Sequence, residues 1–223
     1  MVYKMDEKQR LLNIAYSAYL FGFVPIPLRG KIPRVRRWQK LRNKPVDQMD
    51  IASGKYPSKV RLIQHLIDEN VEVDNIGVLT GEPSGIVVLD IDARDNGIQK
   101  WNDLVEANGG VLPKTFVVST GGEGYHYYFK YNPSLQKIKN RNGILGMPLD
   151  FRTNGGMVVF PGSKSKSGNV YAIYDGYENE RPIIADIPPW LISILVLDSL
   201  YKRGITNPTA EQFNQGKLNL GFR

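Results

Sequence analysis

Apolar positions fall into blocks of two different periods along the chain. Leu11, Leu12, Ala15, Ala18 and Tyr19 recur at helical spacing and predict an amphipathic helix over 6–21 that Gly22 ends. A second helical pattern covers 58–69, a third covers 96–107 and stops at Asn108-Gly109-Gly110, and a fourth, strongly apolar, covers Pro189–Lys202. Between them lie short β-type runs. Phe23–Leu28 carries two prolines and is expected at a sheet edge. Asn75–Leu79 and Ile86–Ile91 are strands joined by the turn Thr80–Gly85. Thr115–Ser119 and Tyr125–Tyr131 flank a glycine-rich turn, 133–147 is basic and irregular, and Leu149–Arg152, Met157–Phe160 and Val170–Ile173 are further short strands. From Gly204 the chain turns polar and reads as a linker, which divides it into a 1–203 domain and a 204–223 linker. No internal repeat is evident. Helices first, middle and last with clustered strands predict an α+β (mixed α/β) fold.

Composition narrows the chemistry. The 223 residues are 42% hydrophobic and 23% charged, enough for a real core. With no cysteine there is no disulfide, Cys-ligated metal site or thiol nucleophile. Two histidines, His65 and His126, exclude a His-rich ligand set. The early stretch Ile14–Leu28 carries no charge, but it is interrupted by Gly22, Pro25 and Pro27 and is shorter than a spanning helix of about 20 residues. Asp6 and Glu7 sit where a signal peptide would be basic, so a cytoplasmic protein is expected.

The net charge of +7 is local. Eight basic residues and no acid lie between Arg29 and Lys44; outside them, 21 basic face 22 acidic residues. Arg34, Arg36, Arg37 and Lys40 surround Trp38, the mixture of cations and aromatic that suits a phosphate backbone and a stacked base. A solvated loop anchored by its Trp is the plainer alternative.

Asp90 and Asp92 end an apolar run, Ile-Val-Val-Leu, and by the period of two they share a face while Leu89 and Ile91 point into a core. Two carboxylates so placed repel unless a cation or proton lies between them, and oxygen-only ligands suit Mg²⁺ or Mn²⁺. The other reading is a strand-end pair capping a turn. Asp150 follows an apolar residue in the same way, with Arg152 on its face, as either a third ligand beside a phosphate clamp or a local ion pair. Ser119–Gly124 offers backbone N–H groups to a phosphate, with His126 at the start of the next strand, although a simple hairpin turn explains it too. Glu123 is expected to point out. Pro161-Gly-Ser-Lys164 is a second small anion-loop candidate.

The order of these parts resembles a family. Leu-Asp90-Ile-Asp92, then Gly-Tyr-His126 about 30 residues on, then Leu-Asp150 about 24 further, resemble the three motifs of the archaeo-eukaryotic primase superfamily, in its primase–polymerase branch of plasmid, phage and viral replication proteins. Gly30-Lys31-Ile-Pro33 before Trp38, Asn75–Gly81, Leu149–Gly156, and Pro161–Ser163 with Gly168–Tyr171 after it extend the likeness over roughly 10–200. Gly124 stands where related proteins often carry Ser, and Pro161-Gly-Ser163 where they often read Pro-Pro-Ser. The resemblance implies an RRM-like core sheet with flanking helices and template-directed nucleotidyl transfer in DNA replication. It implies two divalent ions (Mg²⁺ or Mn²⁺) on Asp90, Asp92 and Asp150. His126, Arg152 and the Thr120, Gly121 and Gly122 backbone would clamp the phosphates, with Ser163 and Lys31 nearby. Arg34, Arg36, Arg37, Trp38 and Lys40 would grip a single-stranded template or primer–template. It further implies dNTP or NTP as substrate and a downstream helicase or primase C-terminal domain as partner. A metal-dependent nuclease shares the carboxylates and basic surface, and a non-catalytic single-strand-binding module would need only the latter. A relaxase is disfavoured because His65 and His126 form no pair. A glycosyltransferase would leave the basic segment unexplained.

Overall fold

A computed structural model describes residues 7–38, 58–69, 71–174 and 183–220. The chain runs α1 (Glu7–Leu20), β1 (Pro25–Arg29), β2 (Ile32–Pro33), α2 (Ser58–Asp68), β3 (Asn75–Leu79), β4 (Ile86–Ile91), α3 (Gly97–Ala107), β5 (Val117–Ser119), β6 (Tyr125–Lys130), β7 (Leu149–Arg152), β8 (Met157–Val159), β9 (Ala172–Ile173), α4 (Pro189–Tyr201) and α5 (Ala210–Leu220). The fold is α+β, as expected. Among the described residues no helix is long and apolar enough to cross a membrane.

Two antiparallel sheets form, in the orders β2-β1-β3-β8 and β7-β4-β6-β5-β9. In the larger one, β4 crosses over through α3 to β5, and β6 fills the gap between them, while β7 pairs on the other side of β4. This split crossover is the strand order of an RRM-like sheet. Two 3₁₀ turns, Pro133–Lys137 and Ile144–Gly146, occupy the basic irregular stretch before β7.

Alternation on β4 decides where everything packs. Val88, with Val118 and Tyr128 on the neighbouring strands, joins a core with α1, α2, β1 and β3. Val87, Leu89 and Ile91, with Phe129 and Phe151, join a second core beneath α3 and α4 that includes Trp101, Leu191 and Leu195. Each such fully buried side chain contributes roughly 1.5–3 kcal/mol. The larger sheet is thus sandwiched, and its polar residues can sit only where one of these covers runs out.

Three expectations change. β1 lies inside its sheet, not at the edge. Its prolines survive there because Ile26 and Leu28 serve the β3 side, while Pro25 and Pro27 turn toward β2, whose pairing reaches only Leu28 and Arg29. The ordered ladder of β5 begins at Val117, because the Phe116 N–H donates to the Ile183 carbonyl at 2.8 Å instead. The segment from Gly204 carries α5: Phe213 packs on the second core, and a Cβ at Gly216 would come within 3.1 Å of Val196.

Candidate active site

Three strands bring three polar side chains into one row. Asp90 on β4 is paired with His126 on β6 and with Asp150 on β7. All three lie on the face that, two residues earlier, is sealed by Val88 and Tyr128. At the row itself β8 of the smaller sheet stands across a cleft from that face. Asp92 stands just past the end of β4, where its N–H still donates to the Pro148 carbonyl at 3.0 Å, so the ladder holds it in line.

His126 is 4% exposed. Its Nε2 lies 3.5 Å from Asp90 Oδ1, while Nδ1 is buried without a hydrogen-bond partner among the described residues. The ring packs on Tyr171 and Tyr128, with centroids 5.8 and 6.4 Å away. Burial pushes the Asp90 carboxyl upward, but His126, Arg152 and Lys31 together outweigh it and hold the carboxyl below its ordinary value. Burial pushes the Tyr128 phenol well above the usual tyrosine range.

The other two carboxylates are already occupied. Asp92 accepts from the Arg94 side chain, which lowers its pKa against a smaller desolvation effect, and from the Arg94 backbone N–H at 3.0 Å. Asp150 accepts from Arg152 at 2.6 Å and from the Gly143 N–H at 2.9 Å. The turn that carries Gly143 is pinned by Asp198, 1% exposed, which accepts from the Leu145 N–H at 3.0 Å and pairs with Lys202 at 3.0 Å.

These groups open onto one branched cleft with Asp90 at its junction. One lobe, about 430 Å³, is lined by Lys31, Pro33, Trp38, His126, Asn140, Arg152 and the β8 backbone. A second, about 590 Å³, is lined by Lys31, Asp92, Arg94, Thr120, Gly121, Gly122 and the loop Ser165-Lys166-Ser167. A third, about 150 Å³, holds Asp92, Arg94, Asp95 and Asp150. The two larger lobes are the size of small-molecule sites.

The glycine loop is built by close approach. A Cβ at Gly121 would lie 2.4 Å from Ser165 Cβ, and one at Gly124 would lie 2.1 Å from the Ile91 carbonyl oxygen. The second contact leaves no room for a side chain at Gly124 in this backbone. Thr120 Oγ1 accepts the Gly124 N–H at 3.0 Å, closing the turn. Glu123 is exposed and takes the left-handed position, φ +65°, away from the lobes.

The cleft therefore gathers Asp90, Asp92, Asp150, His126, Arg152, Lys31, Thr120, Gly121, Gly122 and Trp38. Ser163 is not among them. It is fully buried, its hydroxyl donates to the Ile76 carbonyl and accepts the Ile76 N–H, both at 3.0 Å, and it braces β3 instead of facing a phosphate. Arg34, Arg36 and Arg37 are exposed on the segment after β2, outside the cleft lining, and Lys40 lies outside the described residues. Arg94, Asn140, Lys166 and Tyr171 line the cleft without having been singled out. Arg94 follows Asp92 by two positions, and Tyr171 closes the Gly168–Tyr171 stretch, which were the available signals.

Among the described residues no three acidic or histidine side chains form a ready-made metal cage. The carboxylates nevertheless share a cleft, offer only oxygen donors and are charge-balanced by arginines, which is the donor chemistry of Mg²⁺ or Mn²⁺. The residues fit such ions once Arg94 gives way at Asp92.

The sequence model of the family described as bifunctional DNA primase/polymerase, N-terminal, matches residues 13–190. No curated protein matches the chain.

Proposed function

The chain belongs to the bifunctional DNA primase/polymerase family, and on that premise we propose that its cleft performs template-directed nucleotidyl transfer from dNTP or NTP during DNA replication. The observation that carries this reading is the row Asp150–Asp90–His126 across three paired strands, opening on lobes lined by Lys31, Lys166, Arg152 and the glycine loop. In the reaction the 3′-oxygen of a primer or first nucleotide bonds to the α-phosphorus. The bond to the β-phosphate breaks, pyrophosphate leaves, and the hydroxyl proton passes to solvent.

Asp90, Asp92 and Asp150 would hold two Mg²⁺ or Mn²⁺ ions. Bound there, such ions lower the pKa of the hydroxyl and neutralise charge on the triphosphate. His126 stands beside Asp90 and fixes its ionised form and direction. Lys31, Arg152, Lys166 and the Thr120–Gly122 loop line the volume in which the triphosphate would lie, and the three cations would offset its negative charge. Trp38 lines the lobe away from the glycine loop and offers a face for a base. Arg34, Arg36 and Arg37, exposed on the same segment, would grip single-stranded template or primer–template together with Lys40.

The test is extension of a primed single-stranded template, and synthesis on an unprimed one, with Mn²⁺ and labelled nucleotides. Asp90→Asn should remove product in both. Full extension by that variant would refute the site. Template cutting without nucleotide, in place of extension, would establish the nuclease reading.

A further inference from the structure

We propose that Arg94 is an internal stand-in for the cation at Asp92, and that it transfers to substrate phosphate when the metal arrives, so that metal and nucleotide bind cooperatively. This rests on the reading of Asp92 as a metal ligand.

Arg94 leaves neither oxygen of Asp92 free. Its backbone N–H and its Nε each lie 3.0 Å from Oδ1, and Nε and a terminal nitrogen reach Oδ2, Nε at 3.0 Å. This two-pronged grip satisfies a carboxylate that would otherwise face Asp90 and Asp150 across a small acidic lobe. The guanidinium is held by chemistry, not by packing: the Arg94 side chain is 84% exposed. Arg152, which grips Asp150 in the same i, i+2 manner, is only 27% exposed and also bonds Asn142, so it is fixed where Arg94 is not.

The backbone is shaped to deliver Arg94 there. Asp95 and Asn96 both take left-handed conformations, φ +53° and +58°, and two such residues in succession are uncommon outside glycine. The turn then closes on Gly97, where a Cβ would lie 1.8 Å from the Asp92 carbonyl oxygen. The segment is thus folded tightly back on Asp92.

Arg94 lines both the acidic lobe and the glycine-loop lobe. A divalent ion taking both oxygens of Asp92 removes its acceptor. The freed guanidinium already stands at the wall of the lobe where a triphosphate or pyrophosphate would bring negative oxygens. Metal alone must break the Arg94 grip; metal with nucleotide gives the guanidinium a new partner. Thermodynamic reciprocity then requires each ligand to tighten the other by the same factor.

Binding of Mn²⁺ to the purified chain, read from the electron paramagnetic resonance signal of the free ion, separates these steps without catalysis. Arg94→Met keeps the stem and removes the charge, and the exposure of the side chain makes a folding defect easy to exclude by circular dichroism. Without nucleotide, R94M should bind Mn²⁺ at least about 5-fold more tightly than wild type, the low end of typical coupling between sites. With a non-hydrolysable dNTP, and after subtraction of the Mn²⁺ held by the nucleotide alone, the gain in Mn²⁺ affinity should be smaller in R94M than in the wild type. Equal or weaker Mn²⁺ binding by R94M alone, or an undiminished gain with nucleotide, would overturn the proposal. Asp92→Asn distinguishes the two readings. If D92N loses Mn²⁺ binding while R94M behaves as wild type, only the role of Arg94 falls. If D92N binds Mn²⁺ as wild type does, the metal site itself is misassigned.

Discussion

Gly124→Ala adds one methyl at the tightest point behind the row of site residues. The new Cβ would lie 2.1 Å from the Ile91 carbonyl oxygen, where real contacts stay beyond 3.0 Å, so strand end and loop must part by about 0.9 Å. Two effects on stability compete. Alanine restricts the unfolded chain, worth about 0.4–1 kcal/mol in favour of folding. Forcing apart packed backbone costs about 1–3 kcal/mol. The contact is with a carbonyl fixed in a ladder, not with a flexible side-chain end, so the second effect wins and a net loss of about 1–2 kcal/mol is expected. The catalytic effect should be larger than stability explains. Ile91 separates Asp90 from Asp92, and a displacement near 1 Å at reacting groups can cost about 100-fold in rate. Urea denaturation gives the first number, and single-turnover primer extension at a temperature where the variant is fully folded gives the second. A variant as stable as wild type or more so, with an unchanged rate, would show that the Gly124–Ile91 contact constrains nothing.

Asp90 is held below its ordinary carboxylate value of 3.8, so its contribution to stability is present above about pH 4 and is lost as pH falls through the lower folded value. His126→Gln leaves burial less opposed, so the Asp90 carboxyl should titrate higher by carbon-13 NMR and acid unfolding should begin at a higher pH; a value at or below wild type would contradict the pairing. Ser163→Ala should cost about 1–3 kcal/mol in urea melts through the unsatisfied Ile76 groups while leaving the KM for dNTP unchanged; a raised KM at unchanged stability would restore Ser163 to the cleft. Arg36→Ala with Arg37→Ala should lower the slope of log K against log salt for single-stranded DNA by about 1.4, at about 0.7 per phosphate contact, and an unchanged slope would place the template elsewhere.

Much of the fold was legible because its elements are locally encoded. The Ile-Val-Val-Leu run and the helical spacing of Leu11, Leu12, Ala15 and Ala18 need no distant partner to be read. What stayed hidden depends on pairing across the chain. Nothing near Ser163 says that its hydroxyl meets Ile76, 87 residues earlier. Nothing near Pro25 says that its free edge meets only a two-residue strand. The polar composition of α5 concealed that Phe213 and Gly216 suffice to dock it. In the site, residue types and order pointed to Asp90, Asp92, Asp150 and His126, but alternation cannot show that Asp90 is paired with both Asp150 and His126, since register is set by long-range pairing. Arg94 escaped emphasis because an ion pair two residues from a carboxylate looks like ordinary surface chemistry.

The shared register of β7, β4 and β6 also governs what happens to imperfectly folded copies. A slip of one residue on β4 would turn Asp90 into the apolar layer and Leu89 onto the open face, undoing both pairings of the row together. There is no half-assembled arrangement in which two carboxylates stay aligned with the histidine while the strand is misplaced. On the proposed reading of the row, a mispaired copy would be silent instead of error-prone, and specific activity would fall with the fraction of molecules that lack the native strand alignment.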